Sequence, residues 1–229
     1  DSADLATKNL VDGVIEVGLT PREAKALTHL PSVPIVVINK KPLQPNWRMV
    51  ACDHHEEGFL AAEYLLARGH RRIALILDER SGWGVEQRCK GYEAALKRGP
   101  GGARPHIFSA RDEEALTIAR AVRDAGCTGC VNFSDNAGLA ILDAFVNRLG
   151  LNIPGDLSVV GLENEAISPF FNPPLTTIAQ PLEEIAESVI DVIHQELTGR
   201  PAPAGREFHS RLIQRASVRA WAPSASPLT

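Results

Sequence analysis

No apolar run in this 229-residue sequence exceeds strand length. Ile35–Ile38 and Ile73–Leu77 are representative, far short of the ~20 residues that a membrane span requires. A basic excess is also missing: 24 Lys/Arg stand against 28 Asp/Glu, for a formal net charge of −4. That is a poor match for a nucleic-acid-binding domain, whose footprint is a cluster of surplus positive charge. Cysteine is sparse, with only Cys52, Cys89, Cys127 and Cys130, so a disulfide framework is excluded for a chain of this length. Cys127 and Cys130 make one C-x-x-C, but no second pair of soft ligands completes a structural zinc site. These thiols read instead as small hydrophobes in a reducing compartment. Gly82 and Gly84 have Gln87 where a third glycine would complete a dinucleotide-binding turn, and no G-K-[ST] is present. No internal repeat occurs, and the opening DSADLATKNL is acidic and polar, unlike a secretory signal.

What is present is ordinary globular material, 44% hydrophobic and 23% charged. Short β-branched runs alternate with longer stretches of helical periodicity. Strands are predicted at Val14–Val17, Ile35–Ile38, Met49–Cys52, Ile73–Leu77, His106–Phe108, Val131–Phe133 and Leu157–Gly161. Helices are predicted at Pro21–Leu30, Asp53–Arg68, Val85–Arg98, Glu113–Ala125, Asn136–Leu149 and Leu182–Thr198. Such alternation implies an α/β fold of parallel sheets flanked by helices. Asp53 and Glu56 have capping-box spacing, Gly69 and Gly199 suit helix stops, and Pro21 suits a first turn. RGPGGARP (98–105) reads as a loop, and APSASPLT (222–229) as a frayed tail.

Few constellations suggest chemistry. Asp53-His54-His55 has the look of a metal-dependent phosphoesterase motif. Helical geometry, however, sends neighbours to different faces, and the segment reads as a capped, solvated first turn. Asp135, after a strand and before a helix, reads as an N-cap. Asn39, Arg88, Ser134 and Glu163 each lie just past a different predicted strand, where open α/β sheets bind ligands. Together they offer hydrogen-bonding groups, one cation and one anion. No Ser-His-Asp set or other activated nucleophile can be assembled, so the set suits binding a polar small molecule and not turning one over.

The segments VDGVI (11–15), VPIVVIN (33–39), EYLLARGHRRIALI (63–76), RCKGYEAAL (88–96), SDNAGLAIL (134–142), NIPGDLSVVGLEN (152–164) and PPLTTIAQP (173–181) occur in one order. Together they resemble the effector-binding domain of LacI/GalR-family transcriptional regulators. The resemblance runs from about Leu10 to Ser217. It implies a two-lobed, type I periplasmic-binding-protein-like fold with a ligand cleft between the lobes. The implied division is 1–51 in a first, incomplete lobe and 52–175 in the second. Residues 176–203 then return to the first lobe and 204–221 to the second, before a tail at 222–229.

By the same resemblance, Arg88 of R-x-x-G-Y holds effector hydroxyls or carboxylates, and Glu163 stands where the family usually has Asp. Ser134 and Asn39 are polar ligand contacts, and Trp83 offers an aromatic face to a sugar ring. The implied protein is a non-enzymatic, cytoplasmic, homodimeric sensor with no cofactor, no metal and no membrane partner. It takes a small effector, a sugar or sugar derivative. Its operator DNA is bound by a helix-turn-helix headpiece outside this sequence, which reads as N-terminally truncated. The alternative is a periplasmic sugar-binding protein of a transporter.

Overall fold

A computed structural model describes residues 11–30, 33–77, 82–99, 103–109, 114–135 and 138–222. The 223–229 tail and residues 100–102 of the Gly/Pro stretch lie outside the described residues. So do residues 78–81 ahead of Trp83 and 136–137 of the S-D-N-A segment. The chain forms two compact units. One comprises the residues up to Asp53 together with Pro181–His209, the other His54–Gln180 and the residues from Ser210 onward.

The first unit holds β1 (Val14–Glu16), α1 (Pro21–Leu27), β2 (Ile35–Ile38) and β3 (Arg48–Cys52). Two elements from later in the chain complete it, α6 (Leu182–Leu197) and β9 (Gly205–Phe208). Its strands are parallel in the order β1-β2-β3-β9. Successive strand side chains point to opposite faces. Ile35 and Val37 therefore pack with Leu27 and Trp47, while Val36 packs with Ile185, Val189 and Val192 of α6. Thr20 caps α1 through a reciprocal bond pair with Glu23, and Pro21 occupies the first turn.

The second unit contains α2 (His54–Ala67), β4 (Ile73–Leu77), α3 (Trp83–Arg98), β5 (His106–Ser109), α4 (Ala115–Asp124) and β6 (Gly129–Asn132). There follow α5 (Leu139–Asp143), β7 (Ser158–Glu163), β8 (Thr176–Ala179) and β10 (Arg211–Ile213). The sheet order is β10-β8-β7-β6-β4-β5. All neighbours are parallel except β10 with β8, so the expected parallel sheet carries one antiparallel edge strand. An antiparallel edge strand on a parallel sheet is a common arrangement. Both faces are covered. Ile73 and Leu75 join Leu65, Tyr92 and Leu96 on one side, while Ala74 and Ile76 join Ile118, Val122 and Phe145 on the other. This is why β4 reads as an unbroken apolar run.

Several sequence expectations need correction. The chain leaves the second unit after Gln180 and returns after His209, not near 175 and 203. The reason is pairing: β8 ladders with β7, and β9 ladders with β3. The single helix expected over Asn136–Leu149 is instead α5 followed by a wider π-type turn at Ala144–Arg148. Strand β7 extends two residues further than read, so Glu163 is its last residue.

The motifs GHRRIA and NIPGDLSVVG turn out to be architectural. His70 is fully buried between the Thr128 hydroxyl and the Arg219 carbonyl. Burial pushes its pKa down. Arg71 donates to the Leu66 and His70 carbonyls at the end of α2, and Asp156 accepts from the Asn152 backbone. The segment after β10 is sewn to the sheet: Ser217 Oγ donates to Val159 O and accepts from Thr176 N. Trp221 N donates to Arg68 O.

Candidate functional site

The site is set by a close crossing of α2 and α3. A Cβ on Gly58 would stand 2.0 Å from the Arg88 carbonyl oxygen, and one on Gly91 only 1.8 Å from that of His55. Only glycine admits such an approach. Tyr92, next to Gly91, is buried and anchors α3: its hydroxyl donates to Ile73 O at 2.7 Å and accepts from His106 N at 3.1 Å. Burial pushes the Tyr92 pKa well up, which keeps the hydroxyl a donor.

The crossing brings Glu57, just before Gly58, against Arg88, one turn before Gly91. Arg88 Nε donates to Glu57 Oε2 at 2.8 Å, and His54 Nδ1 lies 2.9 Å from the same oxygen. Ser210 Oγ donates to the other carboxylate oxygen at 3.1 Å. Glu57 is 1% exposed, and its burial alone would raise its pKa. The His54 hydrogen bond and the Arg88 charge outweigh that and bring it down to about 2. An ionised carboxylate only accepts, so His54 Nδ1 carries the proton here. The Trp83 ring meets the His54 ring edge-on, with centroids 5.5 Å apart.

On the far side of Arg88, its Nη2 lies 3.6 Å from Glu163 Oε1. Burial raises the Glu163 pKa, while the Arg88 charge and a hydrogen bond from Ser134 pull against that rise. Glu163 has φ +96° and Asn164 +55°. A non-glycine residue held there costs on the order of 1–3 kcal/mol, and such strain collects at ligand sites. The turn is pinned by Arg215, which donates to Asn164 Oδ1 at 2.7 Å, and by Asn164 N, which donates to Thr177 Oγ1.

The structure thus joins Trp83, Arg88, Ser134 and Glu163 into one connected polar group at the ends of β6 and β7 and the start of α3. Asn39 belongs to the other unit. It has φ +54°, and its Oδ1 accepts from Cys52 N at 2.9 Å, so the acceptor expected to face a ligand holds its own sheet.

Two further readings are corrected. The D-H-H turn is not solvated, because His54 and Glu57 are buried. Asp135 does not cap the following helix, whose N-cap is Gly138. Asp135 is fully buried and accepts from Thr177 Oγ1, Ser168 Oγ and Glu165 N. Burial raises its pKa. Sequence reasoning gave Glu57 no role in the site.

The acid response follows from these directions. Glu57 has a depressed pKa, so its contribution is full above the ordinary value of 4.5 and is lost as pH falls toward about 2. Asp135 and Glu163 have raised values and act in the opposite sense, losing their contribution as pH rises through those values. The urea midpoint of the wild type is expected to drop through that acid window, by the equivalent of about 2–3 kcal/mol from Glu57. Glu57→Gln should flatten the acid limb, and an equally steep limb in that variant would show that Glu57 is not its source.

Residues 62–218 match the family model described as a periplasmic binding protein-like domain. The chain belongs to that family, and within it this is a LacI-type effector-binding domain of a transcriptional regulator. It is 26% identical over 224 residues to the HTH-type transcriptional repressor PurR of Pasteurella multocida (strain Pm70), covering 94% of this chain and 67% of the relative. An uncharacterized HTH-type transcriptional regulator of Streptomyces limosus is 30% identical over 212 residues, with 89% of this chain and 59% of that protein covered. Among solved structures, a LacI family transcriptional regulator from Enterococcus faecium with bound ribose aligns with a TM-score of 0.82. It shows 23% identity over 96% of this chain and 84% of its own. These relatives are regulators, which favours the sensor reading over a transporter's binding protein. No helix among the described residues is long and apolar enough to cross a membrane.

Proposed function

We propose that the polar group of the second unit is the effector site, and that it takes a small polyhydroxylated molecule, a sugar or sugar derivative. Trp83 supplies an apolar ring face, Arg88 supplies donors, Ser134 is a polar contact, and Glu163 accepts from hydroxyls. The protein acts without catalysis as a cytoplasmic, homodimeric sensor. Effector occupancy controls operator binding by a helix-turn-helix headpiece outside these 229 residues. An effector shifts that equilibrium only by its differential affinity for the two states of the regulator.

The observation that carries the reading is Glu163. It is a strained, half-buried carboxylate beside a guanidinium. The bound ribose in the Enterococcus faecium regulator supports the ligand class. A thermal-shift panel of pentoses, hexoses, disaccharides and polyols tests it. At least one sugar is expected to raise the melting temperature of the wild type. Glu163→Gln should abolish that rise while leaving the ligand-free melting temperature at or above the wild-type value, since a carboxylate with a raised pKa is lost. A panel without any sugar-induced shift, or a shift that survives in Glu163→Gln, would sink the assignment.

A further inference from the structure

The arginine of this site is already occupied by an anion that the protein supplies. Glu57 Oε2 sits 2.8 Å from Arg88 Nε, and Glu57 is held in place by His54 and Ser210. It is an ionised, buried group fixed on α2, so it cannot swing away as a surface carboxylate would. Glu163 approaches the same guanidinium at Nη2. Two carboxylates, Glu57 and Glu163, thus face one guanidinium. A guanidinium recognises phosphate or carboxylate by presenting parallel N–H donors to a second anion. Here the Nε edge is spent, and an arriving anion meets Glu163.

We infer that the site admits uncharged polyhydroxy ligands and excludes phosphorylated and carboxylated ones, with Glu57 as the residue that determines this selectivity. The inference rests on the effector site proposed above and deepens it. Neutral hydroxyls can accept from Arg88 and donate to Glu163, because neither bond requires net charge on the ligand.

The test uses inorganic phosphate, D-ribose and D-ribose 5-phosphate, titrated calorimetrically at fixed ionic strength into wild type, Glu57→Gln and Glu163→Gln. The wild type is expected to show no saturable phosphate binding. Glu57→Gln, which keeps the side-chain shape, should bind phosphate or ribose 5-phosphate at least ~10-fold more tightly than the wild type. That gain should vanish in the Glu57→Gln/Arg88→Gln double variant. Glu163→Gln, which leaves the buried pair intact, should show a smaller gain of the same sign and serves if Glu57→Gln does not fold. Saturable phosphate binding by the wild type, or equal phosphate affinity in wild type and both single variants, would overturn the inference. If phosphate behaves as stated while no neutral sugar binds any variant, the sugar reading fails and the exclusion of anions stands.

Discussion

Glu57→Ala is expected to lower the free energy of unfolding by about 3–5 kcal/mol, the usual consequence of leaving one partner of a buried ion pair without the other. Arg88 is 11% exposed and would keep its charge with its chief partner gone. His54 Nδ1 and Ser210 Oγ would lose their acceptor in the same step. Arg88→Ala should cost a similar amount, because it strands Glu57. A thermal shift lost in Arg88→Ala therefore reports on fold and ligand together, and Glu163→Gln is the cleaner probe of binding. Replacing both members at once, as Glu57→Met/Arg88→Leu, should restore most of the stability, since apolar pairs of similar volume often match a buried ion pair. Urea unfolding of the two single variants and the double variant completes the cycle, and a coupling below ~0.5 kcal/mol would disprove the pairing. For contrast, the exposed Arg123–Asp124 pair should contribute less than about 1 kcal/mol.

Gly91→Ala carries the second large effect. The added carbon would stand 1.8 Å from His55 O, and the backbone of a helix is not a group that rotates aside. Helices α2 and α3 must separate, at a cost of about 3 kcal/mol or more, beyond the ordinary range for overpacking. Gly58→Ala meets Arg88 O at 2.0 Å and should behave alike. Gly82→Ala is the control. It lies at the N-cap of α3 with an extended backbone and nothing within 4 Å of the new carbon, so its melting temperature should move little. A Gly91→Ala protein as stable as that control would mean that the crossing is not fixed by its glycines. Because the crossing sets Glu57 against Arg88, the same variant is expected to lose sugar binding even at temperatures where it remains folded.

The fold was largely legible because its signals are local. β-branched runs, capping residues and turn glycines located β2 and β4 to the residue and most of the remaining elements to within a few residues. The three later strands were not read as such. Thr176–Ala179, Gly205–Phe208 and Arg211–Ile213 are short, and Gly205–Phe208 alternates exposed with half-buried residues. Their sheet membership is decided by pairing partners elsewhere in the chain, which for Gly205–Phe208 lie about 150 residues earlier. At the site, Arg88, Ser134 and Glu163 were singled out by their place after strands, and Trp83 by the resemblance alone. Glu57 was not, because its importance arises from a helix–helix contact that no spacing rule encodes. Asp135 was misread for a related reason. A polar residue ahead of a helix suggests a cap, whereas Thr177, Ser168 and Glu165 approach it from a distant stretch of sequence.

The interleaved path of the chain has a consequence for its birth on the ribosome. Strand β3 ends at Cys52, but its neighbour β9 begins only at Gly205, about 150 residues later. At roughly 5–20 residues per second, the nascent Met49–Cys52 backbone waits on the order of 10–30 s for its ladder partner. The second unit is likewise unfinished until Ser210–Trp221 has emerged to meet β8 and β7. Neither half can mature vectorially, ahead of the other.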